Sequence, residues 1–369
     1  MARTSGPLIA TGLARGSTAE PALAAMAVQL AMEQLSVSHA NAVLLFLSDA
    51  FVRSAQPALL AASRASQCIQ VAGGCATGVF TEQDWVLDAP AAAAMVFSGP
   101  VQLGLVHSPE ADDLLLSFAS AATFAQPWLN ATGLRFGGIT GHAGGAGPSP
   151  VWQHGRLNPS GRCELYLHGC DGATGVSHGI RALSDALEVT SSRGFDLLSL
   201  QHQPALNTLA RELPLEVQQL DRIPLHRILA AEIIGDTANA LNEGRYHLIP
   251  LVATDPHQGA VTLASRLVEG DRMFWALRQP AAAEHNMRMS LIRTEHALGH
   301  SPDFAIMATS AARGAAFYGD DDRDLLAMTR QYPGMPIIGF YSNGEFASLE
   351  QDNHLLEYAC SFGLFHAHV

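Results

Sequence analysis

The sequence predicts an α/β fold of mixed, largely antiparallel sheets covered by helices, in two pseudo-repeated halves, and three observations predict it. A ten-residue cassette occurs twice, from Val71 to Phe80 and from Ile337 to Phe346. Each copy has glycines five apart (Gly73 and Gly78; Gly339 and Gly344) and a phenylalanine two residues beyond the second. The surroundings also correspond: an apolar run (Ala42 to Leu47; Phe304 to Met307), a polar break at Ser48 or Ser310, a helix-compatible stretch, the cassette and another apolar stretch (Ala91 to Phe97; Leu355 to Phe365). Finally, strand and helix patterns mix without long regular alternation. One unit of strand, helix, strand, glycine loop and strand is expected, used twice.

Leu8 to Leu13 reads as a first strand. Pro21 to Leu35 is expected to be a helix, because proline fits its first turn and Leu23, Met26, Val28, Leu30 and Met32 give a broad apolar face. The first repeated unit runs to Phe97, followed by a strand near Val101 to Val106 and a helix over Asp112 to Phe124. Phe136 to Pro148 has too many glycines for a helix or an ordinary strand. Its Gly141 to Gly147 part could bring amides to a phosphate but lacks a nucleotide-binding spacing, so a lid or disordered loop is expected. Val151 to His154 and Cys163 to His168 read as a hairpin, Ala182 to Val189 and Leu197 to Leu200 as strands, and Pro204 to Arg211 as a helix. Pro214 and Pro224 place the domain boundary between Arg211 and Leu225, giving an N-terminal extension over 1–37 and domains over 38–220 and 221–369. Leu225 to Asn242 is helical in pattern, Tyr246 to Val252 and Asp271 to Leu277 read as strands, and Met287 to Leu298 as a helix ended by Gly299.

Of 369 residues, 48% are apolar and 15% charged, which describes a compact protein with a large core. The net charge of −13, without a basic run, opposes nucleic acid and anionic membranes and leaves a small molecule or another protein as partner. All 21 basic residues are arginine. Lack of lysine excludes a pyridoxal phosphate Schiff base, a Walker loop and a kinase site, and no cofactor is expected. Five cysteines, an odd number without a secretory leader, indicate reduced thiols and a cytoplasmic location. No apolar run reaches about 18 residues, so no membrane span is expected.

The glycine loops are the first candidates for a binding surface, because paired glycines after a buried strand let a backbone or ligand come close. In the second loop, Glu345 is an acid that turn geometry does not require; it could hold an ammonium group or pair with Arg313. Arg313 could grip a carboxylate with two parallel hydrogen bonds, so the two together would suit a zwitterion. Tyr341, Ser342, Asn343 and Gly344 would form the wall, although a tyrosine there also packs with its hydroxyl satisfied and Asn343-Gly344 is a plain turn signal. In the first loop, Cys75 and Thr77 are the candidates. Exposed amides could activate the thiol, whereas a packed cysteine needs no reactivity.

A thiol-dependent hydrolase would need a histidine brought to Cys75 by folding and two amides aimed at an oxyanion. A non-catalytic protein-interaction scaffold would instead show a large exposed apolar patch. The 16 histidines show no metal-ligand spacing: Cys163, His168 and Cys170 do not repeat a paired-cysteine pattern, and His366 and His368 sit at a chain end. Asp320-Asp321-Asp322 reads as helix capping rather than a calcium loop. No metal is expected.

Several of these segments together resemble the FIST family, named after F-box and intracellular signal transduction proteins, whose members have N-terminal and C-terminal FIST regions. Pro336 to Glu345 resembles its Gly-Phe-Tyr followed by Gly-Glu, and Ala312-Arg313-Gly314 its Arg-Gly after a strand. Ala72 to Gly78 resembles its Gly-Cys-Ser/Thr-x-Gly loop and Phe136-Gly137-Gly138 its second Gly-Gly. Leu187 to Thr190 before Pro204-Ala205-Leu206 is similar to its linking segment. The matches run in order from about residue 40 to 365. The resemblance implies a sensory domain that binds small ligands, amino acids among them, and that in many members is joined to a signalling or ubiquitin-ligase module. No residues remain here for such a module, so the output is expected through a separate signalling protein. The function expected is small-ligand sensing in the cytoplasm without a chemical step, with Arg313 and Glu345 as anchors and Tyr341, Ser342, Asn343, Gly344, Cys75 and Thr77 shaping the pocket.

Overall fold

A glycine beside a buried strand admits another chain segment at close range, and both cassettes use this. In the computed structural model, which describes residues 8–141, 148–218 and 224–368, Ala42–Ser48 lies between a parallel neighbour, Val71–Ala76, and an antiparallel one, Ala91–Phe97. Helix Ala55–Ser66 makes the crossover. Phe304–Ser310, Ile337–Ser342 and Ala359–Ala367 repeat the arrangement, with helix Arg323–Gln331 in the crossover. A further copy lies between these two. Leu114–Ser120 is parallel to Leu134–Thr140 and antiparallel to Arg162–His168, and its crossover holds only the short helix Gln126–Leu129.

Each copy sends a hairpin to another. Gly78–Thr81 of the first pairs with Ile337–Ser342 of the third, Glu345–Leu349 of the third with Leu134–Thr140 of the second, and Val151–Gln153 of the second with Val71–Ala76 of the first. Three six-stranded sheets of identical order result. The register explains the cassette: Gly73 pairs with Trp152, Gly137 with Phe346 and Gly339 with Phe80, an aromatic residue delivered each time by another copy. Gly73 and Gly137 sit at φ +149° and +127°, and a Cβ there would stand 1.9 and 2.1 Å from the carbonyl oxygens of Leu45 and Ser117. Only glycine fits both the backbone and the space.

Every residue of Ala42–Ser48 is buried, as a continuous apolar run covered on both faces requires. Leu44 and Phe46 belong to a core shared by the three sheets, whereas Val43, Leu45 and Leu47 pack with residues of helices Pro21–Leu35 and Ala55–Ser66. Phe46, Phe118 and Phe340, one from each copy, meet with ring centroids 5.2, 4.7 and 5.8 Å apart. Phe46 and Phe118 pair with Gly74 and Gly138 on the parallel strand, while Phe340 pairs with Ala308, so each copy contributes one ring and one small residue.

The chain forms two compact units, Met1–Val176 with Met287–Val369, and Ser177–Asn286. All three copies belong to the first. This division differs from a single change between Arg211 and Leu225. The segment read as an N-terminal extension supplies strand Ile9–Arg15, antiparallel to Ala91–Phe97, and helix Pro21–Leu35. In the second unit, Arg272–Arg278, Leu187–Arg193, Asp196–Leu200, Ala260–Leu263, Tyr246–Asp255 and Ile228–Ile233 follow one another in an antiparallel sheet, and the last pairs back with the first. Trp275 and Leu197 fill this closed sheet, and the Trp275 indole donates to the Thr208 hydroxyl of helix Ala205–Glu212 at 3.2 Å.

Four local expectations are corrected. Asp112 to Phe124 contains strand Leu114–Ser120 rather than a helix, because a short apolar run buried on both faces has no period to distinguish the two. Leu225 to Asn242 contains strand Ile228–Ile233, whose run Ile228 to Ala231 is buried in the same way. Val151–Gln153 pairs with Arg156–Leu157 and the first copy, not with Arg162–His168. Phe136 to Thr140, expected to be loop for its glycines, lies in strand Leu134–Thr140, where Gly137 makes room for the exchanged hairpin, and residues 142–147 of the glycine-rich segment lie outside the described residues. Among the described residues no helix is long and apolar enough to cross a membrane.

Candidate functional site

Parallel strands leave their amides and side chains converging at their carboxyl ends, where open α/β sheets bind ligands. Here the three parallel pairs end at Ser48 with Ala76, Ser120 with Thr140, and Ser310 with Ser342. The next residues, Thr77, Gly141 and Asn343, meet. The Gly141 carbonyl accepts from the Thr77 hydroxyl at 3.1 Å and from the Asn343 side-chain amide. The Asn343 amide donates to Ile139 O at 3.1 Å and the Ile139 amide to Gly344 O at 2.8 Å. Cys75 joins through its amide to Pro150 O and its carbonyl to the Ser149 hydroxyl, both at 2.9 Å.

The glycine loops therefore lie together, and among the described residues what joins them is a set of hydrogen bonds to the Gly141, Ile139 and Gly344 carbonyls rather than the common hollow expected of them. A cavity of about 360 Å³ opens to one side, at Thr77, lined also by Ser48, Asp49, Asp88 and Pro90.

Behind the junction the third copy carries a buried polar cluster. Arg313 donates from Nε and Nη2 to the two Asp324 oxygens at 2.9 and 2.6 Å, from Nη2 also to the Tyr318 hydroxyl at 3.2 Å, and from Nη1 to Tyr358 O at 3.4 Å. Burial pulls the guanidinium pKa down, but Asp324 and Tyr318 outweigh it and hold it up. Asp322 caps helix Arg323–Gln331 by accepting from the Leu325 amide at 2.9 Å, and its other oxygen accepts from the Tyr341 hydroxyl. Glu345 accepts from the Ala359 amide at 3.1 Å and lies 2.5 Å from the Ser342 hydroxyl, which also lies 3.1 Å from Thr309 O. A hydroxyl has one proton, so a protonated Glu345 that donates to Ser342, while Ser342 donates to Thr309, satisfies all three oxygens. Burial pushes the Glu345 carboxyl up to about 8, in agreement, and burial with Asp324 pushes Asp322 up to about 6. Three carboxyls thus face one guanidinium. At the position of Glu345 the first and second copies have Val79 and Val151, so packing alone does not call for an acid.

These carboxyls set a pH dependence. Glu345 holds its proton to about pH 8 when folded, against a reference value of 4.5, so the native state binds the extra proton between the two and stability falls as pH rises through that window. Asp322 acts with the same sign between 3.8 and about 6. Glu345→Gln keeps a neutral side chain, and its melting temperature is expected to fall less between about pH 5 and pH 8 than that of the wild type. Equal slopes would mean that Glu345 is ionised throughout.

Of the residues singled out from the sequence, Arg313, Tyr341, Ser342 and Glu345 share the buried cluster, and Thr77, Asn343 and Gly344 form the junction. Cys75 is fully buried, and burial followed by Asp49 pushes its thiol upward, away from a nucleophile's range. Asp324 and Tyr318 were missed: an acid in a helix's first turn reads as dipole compensation, and only its burial beside Leu325 and Met328 marks it. Asp322 was read as a cap, which it is, and its bond to Tyr341 is additional.

Residues 205–348 match the family model of the FIST C domain. An uncharacterized protein of Mycobacterium tuberculosis is similar at 25% identity over 230 residues, 62% of this chain and 60% of the relative. An uncharacterized protein of Mycobacterium bovis is similar at 24% over 230 residues, 62% and 59%. The chain spans about three fifths of the length of these curated relatives.

Proposed function

From the premise that the chain carries a FIST C domain over residues 205–348, we propose that it is a cytoplasmic sensory protein that binds a small metabolite at the junction of the three copies and passes the signal to a separate protein. The observation that carries this reading is the shared Gly141 carbonyl. A ligand in the cavity of about 360 Å³ that engages the Thr77 hydroxyl competes with the Gly141 carbonyl, the acceptor to which Asn343 of the third copy also donates, so occupancy at one copy bears on the contact to another. The cavity volume is of the size that small ligands fill. Its lining combines two acids, Asp49 and Asp88, which match an amino group, with the hydroxyls of Ser48 and Thr77, which can donate to a carboxylate, and an amino acid is the ligand class favoured. Arg313, engaged by Asp324, acts by holding the third copy's bend rather than by gripping the ligand.

The buried, upward-shifted Cys75 thiol disfavours the hydrolase reading, and no chemical step is assigned. The test is a thermal-shift screen of amino acids. A ligand that binds the folded state is expected to raise the melting temperature of the wild type and of Cys75→Ala, and to lose most of that effect in Thr77→Val and Asp88→Asn. Stabilisation that survives both of the latter substitutions would remove the junction from the site.

A further inference from the structure

At the amino ends of the strands, opposite the junction, lies a second cavity, of about 410 Å³. Apolar Leu8, Pro336 and Ala367 line it together with Glu82, Asp303 and Gln34. Glu82 reaches it on the hairpin that the first copy sends to the third. Its carboxylate accepts from the Thr11 hydroxyl, 2.6 Å from each oxygen, and from the Ile337 amide at 3.0 Å. Asp303 accepts from the Ala367 amide at 2.9 Å and lies 2.9 Å from Nδ1 of His366. Gln34 donates its side-chain amide protons to Thr11 O at 2.8 Å and Leu30 O at 3.3 Å, which leaves its carbonyl as the group able to accept.

We propose that this cavity is a second ligand site, for a small aliphatic amine. Its polar groups are acceptors, so they match a donor-only head bearing positive charge, and the apolar residues take the carbon chain. A carboxylate on the ligand would meet Glu82 and Asp303, so amines are taken and zwitterions are refused. This separates the site from the amino-acid reading of the junction.

The place is a product of the hairpin exchange, because it recurs. In the second copy a cavity of about 550 Å³ lies between Gly133, which precedes its second strand as Pro336 does in the third, and the hairpin sent by the third copy. There Asn353 accepts from the Arg135 amide at 2.7 Å, as Glu82 does from Ile337. Its lining is richer in amides, with Gln126, Asn130, Gln351 and Asn353 beside Asp352 and His354, so the same architecture carries a different set of polar groups.

Titration calorimetry with n-pentylamine, n-pentanol and 6-aminohexanoate on the wild-type chain tests the proposal. Pentylamine is expected to bind once per chain, with the alcohol and the zwitterion about tenfold weaker or worse, a difference of about 1.4 kcal/mol. Asp303→Asn and Gln34→Ala are expected to weaken pentylamine, whereas Thr77→Val leaves it unchanged. Asp303→Asn is preferred to Glu82→Gln, because Glu82 also anchors Thr11 and Ile337. Absence of pentylamine binding to a folded wild type, or equal affinity in Asp303→Asn, would overturn the proposal and leave the junction reading untouched.

Discussion

Replacing Arg313 with alanine is expected to destabilise the fold by about 3–5 kcal/mol, the usual result of removing one partner from a buried ion pair. Asp324 would lose two hydrogen bonds and its countercharge in a fully buried site, and Tyr318 would lose a neighbour that fixes its hydroxyl. Replacing the group as a whole is a different matter. Arg313→Met with Asp324→Leu and Tyr318→Phe removes both members of the pair, leaves Asp322 with its Leu325 and Tyr341 hydrogen bonds, and is expected to recover much of the loss. Urea unfolding midpoints of the wild type, the single variant and the triple variant check this. A single variant within about 1 kcal/mol of the wild type, the range of an exposed pair, would show that the cluster admits water. The same reasoning makes Arg313→Ala a poor probe of ligand binding, since it disturbs the fold before it can report on the site.

Gly73→Ala and Gly137→Ala are expected to be nearly as severe. Each adds a Cβ about 2 Å from a neighbouring carbonyl oxygen, at 1.9 and 2.1 Å, and forces a side chain onto a backbone at positive φ. Overpacking of a filled interior costs about 1–3 kcal/mol, and the left-handed backbone about 1–2 kcal/mol more. Gly299→Ala separates the two effects: its φ is +75° but nothing lies within 4 Å of the added carbon. Thermal unfolding of the three variants is expected to lower Gly299→Ala modestly, by the backbone cost alone, and the other two much further. If all three fall alike, the carbonyls of Leu45 and Ser117 on the parallel neighbours do not close off the space at these glycines.

The repeated unit was legible because its marks are local. Gly73 and Phe80, or Gly339 and Phe346, stand at fixed offsets in one stretch of sequence, although the ring that meets each glycine comes from another copy. The copy between them was not legible. Its cassette is cut after Gly141 and resumes at Pro150, Trp152 replaces phenylalanine, and its crossover helix has four residues. Leu114–Ser120 then lacked the context that would have marked it as the first strand of a unit. The site was legible in its residue types, since an acid at position 345 and an arginine at 313 are both unusual there. Their partners were not. Which acid reaches Arg313 depends on the path of the chain from Ala315 to Asp322, and no spacing rule connects Arg313 to Asp324.

The cyclic exchange of hairpins has a consequence for synthesis on the ribosome. The strand Gly78–Thr81 leaves the exit tunnel early, yet its sheet neighbour is Ile337–Ser342, and the Glu82 carboxylate waits for an amide 255 positions downstream. The first copy therefore emerges with an unpaired edge that stays open until nearly the whole chain has been translated. A nascent product stalled before residue 337 exposes that edge to other chains, so premature termination favours aggregation over a smaller folded fragment.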